Sequence, residues 1–214
     1  MSNSVNTQHL ASILASGIDK MGMSVSPQQQ QQLIGYVELM HKWNKAYNLT
    51  SVREPEQMVV KHLLDSLSVA PFVDGQHIID VGTGPGLPGM PLAIVLPHCQ
   101  FTLLDSLGKR VRFMKQCVHE LKLDNVTCLH SRVEEHQPDT AYDIVLSRAF
   151  ASLKDMLHWC AHLVDSEGKF LALKGQAQQS EIDEVSDHFH IESVNALKVP
   201  DLEGERHLVT IRKA

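Results

Sequence analysis

The sequence lacks the features that place a chain in or across a membrane. Its longest apolar stretch is Met90–Leu96, which Pro91 interrupts, whereas a membrane-spanning helix needs about 20 apolar residues. The first residues, Met1–Asn6, contain neither the basic segment nor the apolar segment of a secretory signal. We therefore expect a cytoplasmic protein with no membrane partner.

Closely spaced metal ligands are also missing. The nearest two cysteines are 11 residues apart, so the chain has no Cys-x-x-Cys pair, and it has no His-Glu-x-x-His motif. The four cysteines are Cys99, Cys117, Cys128 and Cys160. Isolated thiols are typical of proteins in a reducing compartment. We predict no metal site.

An excess of basic residues is absent too. The chain has 19 Lys and Arg against 25 Asp and Glu, a formal charge of −6, and the sum alone argues against a nucleic-acid partner. The distribution of charge along the chain changes that conclusion, because the residues after Gly175 include four Lys and Arg against eight Asp and Glu. The earlier part of the chain is nearly neutral and has a basic cluster at 109–115, so RNA is not excluded.

The first 70 of the 214 residues have the periodicity of amphipathic helices. One helix is predicted through Leu10–Ile18, and a second is predicted to begin with an N-cap at Ser26 and Pro27 at the first helical position. A third is expected over 55–69. We predict a helical N-terminal region over 1–70 and a separate domain over 71–214.

From residue 71 onward, short β-rich runs alternate with helical stretches. The predicted strands are His77–Val81, Phe101–Asp105, Val126–His130, Asp143–Ser147 and Lys169–Lys174. This alternation predicts an α/β fold with a parallel sheet and helices on both faces. Near the end, Ile191–Val199 and His207–Arg212 are separated by a connection too short for anything but an antiparallel hairpin.

A glycine-rich turn follows the first predicted strand. Its residues Gly84, Gly86 and Gly89 match the Gly-x-Gly-x-x-Gly pattern of dinucleotide-binding folds, but that match begins late and contains Pro88. The alternative pattern, Asp-x-Gly-x-Gly-x-Gly, is satisfied at every fixed position by Asp80, Gly82, Gly84 and Gly86. It resembles motif I of the class I S-adenosylmethionine-dependent methyltransferases, in which the acidic residue faces the methionine part of the cofactor.

A second acidic residue, Asp105, ends the second predicted strand. A carboxylate there accepts hydrogen bonds from ribose hydroxyls in both nucleotide-binding and methyltransferase folds. The same position also suits a helix N-cap at Asp105 or Ser106, so that interpretation stays open.

The chain as a whole resembles the bacterial small-subunit ribosomal RNA guanine-N7 methyltransferase family (RsmG, also called GidB). The stretches that carry the resemblance are Trp43–Thr50, His62–Ser66, Asp80–Gly89, Leu104–Arg110, Ser131–Glu135, Ser147–Ala149 and Lys174–Gly175. It implies a Rossmann-like methyltransferase sheet and transfer of a methyl group from S-adenosylmethionine to N7 of guanosine 527, in the 530 loop of 16S rRNA.

The resemblance also implies roles for individual residues. Those assigned to the cofactor are Asp80, Gly82, Gly84, Gly86, Leu87, Asp105, Val133, Glu134 and Arg148, and Arg148 is in addition the expected catalytic residue. We expect the RNA contacts to be Lys109, Arg110, Arg112, Arg132 and Lys174. The expected partner is 16S rRNA within the 30S subunit or an assembly intermediate, and no DNA is expected. Two alternatives are a non-catalytic RNA-binding or ribosome-assembly module and an NAD(P)-dependent oxidoreductase.

Overall fold

A computed structural model describes residues 6–214 of the chain. The first five residues of the predicted helical region lie outside the described residues. The helices are α1 (Thr7–Lys20), α2 (Pro27–Tyr47), α3 (Pro55–Met58), α4 (Asp65–Leu67), α5 (Gly89–Val95), α6 (Gly108–Leu121), α7 (Leu153–Cys160) and α8 (Gln179–Asp183). The strands are β1 (His77–Val81), β2 (Gln100–Asp105), β3 (Val126–His130), β4 (Ile144–Ser147), β5 (Lys169–Lys174), β6 (Phe189–Ala196) and β7 (His207–Lys213).

The seven strands form one sheet in the order β3-β2-β1-β4-β5-β7-β6. Strands β1 to β5 pair in parallel, whereas β7 pairs antiparallel with both β5 and β6. The predicted α/β class and the antiparallel C-terminal hairpin are therefore confirmed. The sequence also predicts a short helix near 181–187, and the observed helix α8 begins and ends earlier, at Gln179 and Asp183.

Strand β1 shows how the sheet separates two hydrophobic cores. Ile78 lies in a core that also includes residues of α1 and α2, whereas its neighbour Ile79 lies in a second core with residues of α7. Successive side chains of a strand point to opposite faces, so both faces of β1 are buried. The N-terminal helices and one face of the sheet therefore share a continuous core, and the division of the chain at residue 70 stays a prediction.

The N-terminal helices begin where their sequence signals indicate. The Ser26 side chain accepts a hydrogen bond from the Gln29 backbone, and the Gln29 side chain accepts one from the Ser26 backbone, which forms a capping box before Pro27. The third predicted helix consists of α3, a π-helical segment over Val59–Leu64, and α4. Within the described residues, no helix is both long and apolar enough to cross a bilayer.

Candidate functional site

The glycine-rich turn leaves the carboxyl end of β1 and needs its glycines for conformational reasons. Gly84 has a φ of +65°, a left-handed conformation that side chains disfavour. A Cβ built on Gly84 meets no described heavy atom within 4 Å, so it would project into open space beside the backbone. A Cβ on Gly82 would come within 2.7 Å of the Ala149 Cβ. The turn therefore brings bare backbone to the edge of a cavity.

Asp80 holds this turn through hydrogen bonds to two of its residues. Its side chain is fully buried, and Oδ2 accepts hydrogen bonds from the Thr83 hydroxyl at 2.6 Å and from the Gly89 amide at 2.7 Å. Among the described residues, Oδ1 has no hydrogen-bond partner. Burial raises the pKa of Asp80 to about 7, against the opposing effect of those two hydrogen bonds. Its expected contact with the cofactor stays a prediction.

Asp105, at the end of β2, also holds the turn through its carboxylate. Its Oδ2 accepts hydrogen bonds from the Gly84 amide at 2.9 Å and from Arg110 at 3.3 Å, and Oδ1 accepts one from the Leu107 amide at 2.9 Å. The N-cap of α6 is Leu107, which has no side-chain cap. The N-cap interpretation of Asp105 and Ser106 is therefore wrong, because α6 begins later, at Gly108.

A cavity of about 280 Å³ lies above the turn, and we call it the loop cavity. Its lining residues are Leu49, Thr50, Gly82, Thr83, Gly84, Pro85, Leu87, Arg110, Arg148 and Ala149. It brings together four predicted cofactor residues, Gly82, Gly84, Leu87 and Arg148. Gly86 belongs to the turn but lies outside this lining.

Val133 and Glu134 lie apart from the loop cavity, in a single 3₁₀ turn after β3. Val133 is 9% exposed, whereas Glu134 is exposed and pairs with Arg132 at 3.6 Å. Their expected contacts with the cofactor adenine stay predictions.

A second cavity of about 430 Å³ adjoins the first, and we call it the Asp65 cavity. Its lining residues are Thr50, Ser51, Val52, Lys61, His62, Asp65, Arg148, Leu173, Lys174, Gly175, Leu197, Arg206 and His207. Four Lys and Arg side chains and one carboxylate therefore face this space. Thr50 and Arg148 line both cavities, so the two spaces meet at these residues.

The centre of the Asp65 cavity is a carboxylate held between two guanidinium groups. Asp65 Oδ2 lies 3.2 Å from Arg148 and Oδ1 lies 3.0 Å from Arg206 Nε. Asp65 is 2% exposed, so these ion pairs fix the positions of both arginines far better than exposed pairs would. Sequence reasoning missed Asp65 and Arg206, although one signal was present: Asp65 is an acid that directly follows two leucines, Leu63 and Leu64, on the inner side of a predicted helix.

The loop that carries Thr50 to this junction is held by Asn44, at the end of α2. The Asn44 side chain accepts a hydrogen bond from the Thr50 amide at 3.0 Å and donates one to the Val52 carbonyl at 3.1 Å. Asn44 is buried, so both of its polar groups need such partners. The motif Trp43–Thr50 therefore sets one wall of both cavities.

The predicted RNA contacts fall into different environments. Lys109 and Arg112 are exposed on the first turns of α6, and Arg132 is exposed after β3. Arg110 is bound to Asp105, and Lys174 pairs with Glu181 at 2.7 Å while it lines the Asp65 cavity. The RNA-binding role of all five residues stays a prediction.

The chain contains one His-x-x-x-His pair, His158 and His162, and this i, i+4 spacing can place two metal ligands on one face of a helix. His158 lies in α7, and His162 lies in the 3₁₀ turn that follows, with Nε2 at 3.0 Å from the His136 carbonyl. Across residues 6–214, no group of three or more His, Cys, Asp or Glu side chains is arranged to hold a metal ion.

Two solved structures share the fold at low sequence identity. A methyltransferase from Thiobacillus denitrificans, described as S-adenosylmethionine-dependent and in complex with S-adenosylhomocysteine, aligns with a TM-score of 0.52 and 10% identity, over 71% of this chain and 90% of that one. The mitomycin 7-O-methyltransferase MmcR aligns with a TM-score of 0.57 and 17% identity, over 97% of this chain and 67% of that one. The chain therefore shares its fold with both of these methyltransferases.

Sequence comparison is more specific. A protein of Alteromonas mediterranea named ribosomal RNA small subunit methyltransferase G is 68% identical over 206 residues, which cover 96% of this chain and 98% of the relative. A protein of the same name from Salmonella paratyphi B is 60% identical over 191 residues, or 89% and 92% of the two chains. Residues 29–209 match the family described as GidB, rRNA small subunit methyltransferase G. The chain therefore belongs to the rRNA small subunit methyltransferase G family, an S-adenosylmethionine-dependent class of enzymes.

Proposed function

We propose that the protein transfers a methyl group from S-adenosylmethionine to N7 of guanosine 527, in the 530 loop of 16S rRNA. Family membership supports the rRNA substrate. The observation that supports methyl transfer is that two cavities meet at Thr50 and Arg148. The loop cavity has bare glycine backbone in its wall, and the Asp65 cavity is lined by cations. A cofactor in the loop cavity and a nucleotide in the Asp65 cavity would meet there.

The loop cavity fits the cofactor in two respects. The open space at the Gly84 Cβ position lets a ligand touch the backbone, and the Asp105 carboxylate stands beside the turn, where ribose hydroxyls are bound in this fold. Gly82, Gly84 and Leu87 would hold the cofactor from the turn, and Val133 and Glu134 would frame its adenine. When bound, the cofactor supplies an electrophilic methyl group on a sulfonium.

The acceptor atom determines what the protein must provide. Guanine N7 carries a lone pair that is free at neutral pH, so no proton has to be removed before attack and no general base is required. The side chains need only hold the base in line with the methyl group, and such alignment is worth up to ~7–11 kcal/mol. His62 and Asp65 line the Asp65 cavity, but this chemistry does not require either of them to act as a base.

Arg148 is the central positioning group of this proposal. Its ion pair with Asp65 fixes the guanidinium at the junction, where it can contact the base or a neighbouring phosphate. The purine becomes positively charged as the methyl group moves, so an uncompensated arginine there would oppose the reaction. Asp65 offsets that charge while Arg206 keeps the cavity attractive to phosphate.

The form of the substrate follows from the net negative charge of the protein. A protein with a formal charge of −6 gains little from non-specific phosphate contacts, so we infer that it recognises a folded target, the 30S subunit or an assembly intermediate. The exposed Lys109 and Arg112 on α6 would contact that RNA from one side of the loop cavity. Such a substrate places the enzyme in the cytoplasm, and DNA is not a partner.

The test is methyl transfer to 30S subunits purified from cells that lack this modification, with isotope-labelled S-adenosylmethionine and naked 16S rRNA in parallel. The expected product is one labelled 7-methylguanosine per 16S rRNA, identified by nucleoside mass spectrometry and mapped to position 527. Transfer to the particle but not to naked RNA would support the assembled substrate. Binding without transfer would favour a non-catalytic assembly module, and tight nicotinamide binding would favour an oxidoreductase.

A further inference from the structure

A third cavity, of about 650 Å³, adjoins the Asp65 cavity, and we call it the Glu181 cavity. Lys174, Gly175 and Arg206 line both of these spaces, just as Thr50 and Arg148 line both the Asp65 cavity and the loop cavity. The Asp65 cavity therefore lies between the other two, and the three spaces form one row.

The order of the strands explains this row. Strands β1, β4, β5 and β7 are consecutive neighbours in the sheet. The glycine turn follows β1, and Arg148 follows β4. Lys174 ends β5, and Arg206 directly precedes β7, whose antiparallel direction brings its first residue, His207, opposite Lys174. Ligands of open α/β sheets bind at the carboxyl ends of the parallel strands, so a ligand longer than one nucleotide can follow this edge from β1 to β7.

Two cations stand where the Asp65 and Glu181 cavities meet, and the first of them, Lys174, has no donor left for a ligand. An ammonium group has three N–H donors. The partners of the Lys174 ammonium are the Phe150 and Ala151 carbonyls, at 3.5 and 2.8 Å, and the Glu181 carboxylate, at 2.7 Å. Its side chain is only 13% exposed. Lys174 therefore stabilises the wall between the two cavities.

The second cation, Arg206, keeps donors available. Its Nε donates to Asp65 at 3.0 Å, and its Nη1 donates to the Glu205 carbonyl at 2.8 Å. Because the guanidinium is planar, these two contacts also fix the third nitrogen, Nη2, which has no hydrogen-bond partner among the described residues. The side chain is 32% exposed. A fixed and accessible guanidinium of this kind is well suited to a phosphate group.

The Glu181 cavity itself is unsuited to an anion. Three of its lining residues are acidic, and two of these, Glu184 and Glu205, are exposed. Four other lining residues carry hydroxyl or amide groups, which both donate and accept hydrogen bonds: Ser152, Gln176, Gln178 and Ser180. The volume of about 650 Å³ is within the range of small-molecule sites. The ribose and base of a nucleotide match this lining, whereas its phosphate does not.

We propose that Arg206 binds the phosphodiester that joins the target guanosine to an adjacent nucleotide, and that the ribose and base of this neighbour enter the Glu181 cavity. The inference rests on the proposed function, in which the target base occupies the Asp65 cavity. The phosphate then lies between two nucleotide sites, as it does in an RNA chain. Two nucleotides held in separate cavities cannot stack on each other, so this arrangement selects an unpaired loop segment of RNA.

The first experiment neutralises one phosphate at a time. Synthetic segments carry an uncharged methylphosphonate on the 5′ side or on the 3′ side of the target guanosine, or ordinary phosphates at both linkages. All of them carry 2′-O-methyl ribose at these two linkages, which prevents strand cleavage, and each is ligated into 16S rRNA and assembled into 30S subunits. Dissociation constants in the presence of S-adenosylhomocysteine are measured for wild type and for Arg206→Gln, which removes the cation and keeps one amide donor.

We expect wild type to lose about tenfold in affinity when one of the two linkages is neutralised, because a charge-assisted hydrogen bond is lost. Arg206→Gln should bind the ordinary segment about tenfold more weakly than wild type does. Neutralising the same linkage should then cost the variant less than about twofold, since both changes remove one contact. Additive losses, or a wild type that is insensitive at both linkages, would overturn the inference.

A second experiment tests the Glu181 cavity with Arg206 intact. Ser180→Phe places a large side chain in the cavity, and Ser186→Phe places the same side chain at an exposed position that does not line it. The substrate is a 30S subunit in which an abasic nucleotide replaces the neighbour on the side that the methylphosphonates identify. Wild type and Ser186→Phe should lose about tenfold in affinity on this substrate, since contacts to one base are removed. Ser180→Phe should bind the intact and abasic substrates equally weakly, and equal responses of the two variants would overturn the inference.

Because both experiments measure binding, they separate this inference from the proposed function. If wild type shows the expected binding pattern but does not methylate N7 of guanosine 527, the proposed acceptor atom is wrong and the site for the neighbouring nucleotide stands. If wild type methylates that atom and the losses at Arg206 and the phosphate are additive, the inference alone fails.

Discussion

The loop cavity and the Asp65 cavity are neighbours, but they are built in different ways. The loop cavity depends on residues close together in the chain, from Gly82 to Leu87, with Asp105 bonded to Gly84 across 21 positions. In the Asp65 cavity, Asp65 pairs with Arg148 and Arg206, which are 83 and 141 positions away. The turn that forms half of the first cavity is a local motif, whereas the charged centre of the second cavity exists only after distant parts of the chain have folded together.

This difference explains how far the sequence could be interpreted. The glycine turn was predictable because glycine is favoured where the backbone φ is positive, which is a local property of the sequence. Five strands and the hairpin were predictable from the alternation of β-rich and helical stretches and from the length of the turn. The Asp65 pairs were not, because no local pattern states which distant arginine meets a buried acid. The N-cap interpretation at Asp105 failed because a helix boundary is uncertain by a few residues from sequence, and α6 begins only at Gly108.

The largest expected effect comes from removing the side chain that the two cavities share. Arg148→Ala should lower methylation by about a hundredfold, comparable to the loss of one preorganised electrostatic group in other active sites. The affinity for S-adenosylhomocysteine should fall by less than about tenfold. Single-turnover methylation and calorimetry measure the two separately. Arg148→Lys should recover little, because a lysine has no planar guanidinium that can contact Asp65 through one nitrogen and keep its other N–H groups for the RNA. Unchanged methylation in the alanine variant would contradict the assigned role.

A glycine substitution tests the loop cavity alone. Gly84 and Gly22 have nearly equal φ values, +65° and +64°, and an added Cβ meets no described heavy atom within 4 Å at either position. Alanine should destabilise the fold by about 1–2 kcal/mol at both sites. Only Gly84→Ala should also weaken S-adenosylhomocysteine binding, by about thirtyfold, because its Cβ enters the cavity. Equal affinities of the two variants would show that the cofactor lies elsewhere.

Asp80 provides a test of stability rather than activity. Its folded pKa of about 7 lies above the unfolded value, so its stabilising contribution is present below about pH 4 and is lost as the pH rises through 7. Between about pH 5.5 and 7.5 the unfolding free energy of the wild type should fall by on the order of 1–2 kcal/mol relative to Asp80→Asn. Urea titrations at both pH values measure this difference. Burial lowers the pKa of His62 to about 4, so His62 changes the unfolding free energy in the opposite direction with pH, but it does so equally in both proteins. Parallel pH profiles would contradict the raised pKa.

The smallest expected effect concerns the exposed cations of α6. Reversing Lys109 and Arg112 to glutamate should lower kcat/KM on 30S subunits by about fivefold. The binding constant for the 30S subunit should also depend less on salt. The slope of its logarithm against the logarithm of the salt concentration should fall in magnitude by about one for each phosphate that the variant no longer binds. Lys122→Glu, just past the other end of the same helix, is the matched control. If all three proteins respond to salt alike, α6 does not contact the RNA.

The division of labour between the two cavities is tested most directly by Asp65→Asn, with the exposed Asp124→Asn as control. Both proteins are assayed for S-adenosylhomocysteine affinity and for single-turnover methylation of 30S subunits. The account predicts that Asp65→Asn keeps its affinity within about twofold and loses about thirtyfold in methylation, since both arginines of the cavity lose their charged partner. A parallel loss of affinity and methylation, or no loss of methylation, would contradict the assignment of the Asp65 cavity to the RNA base.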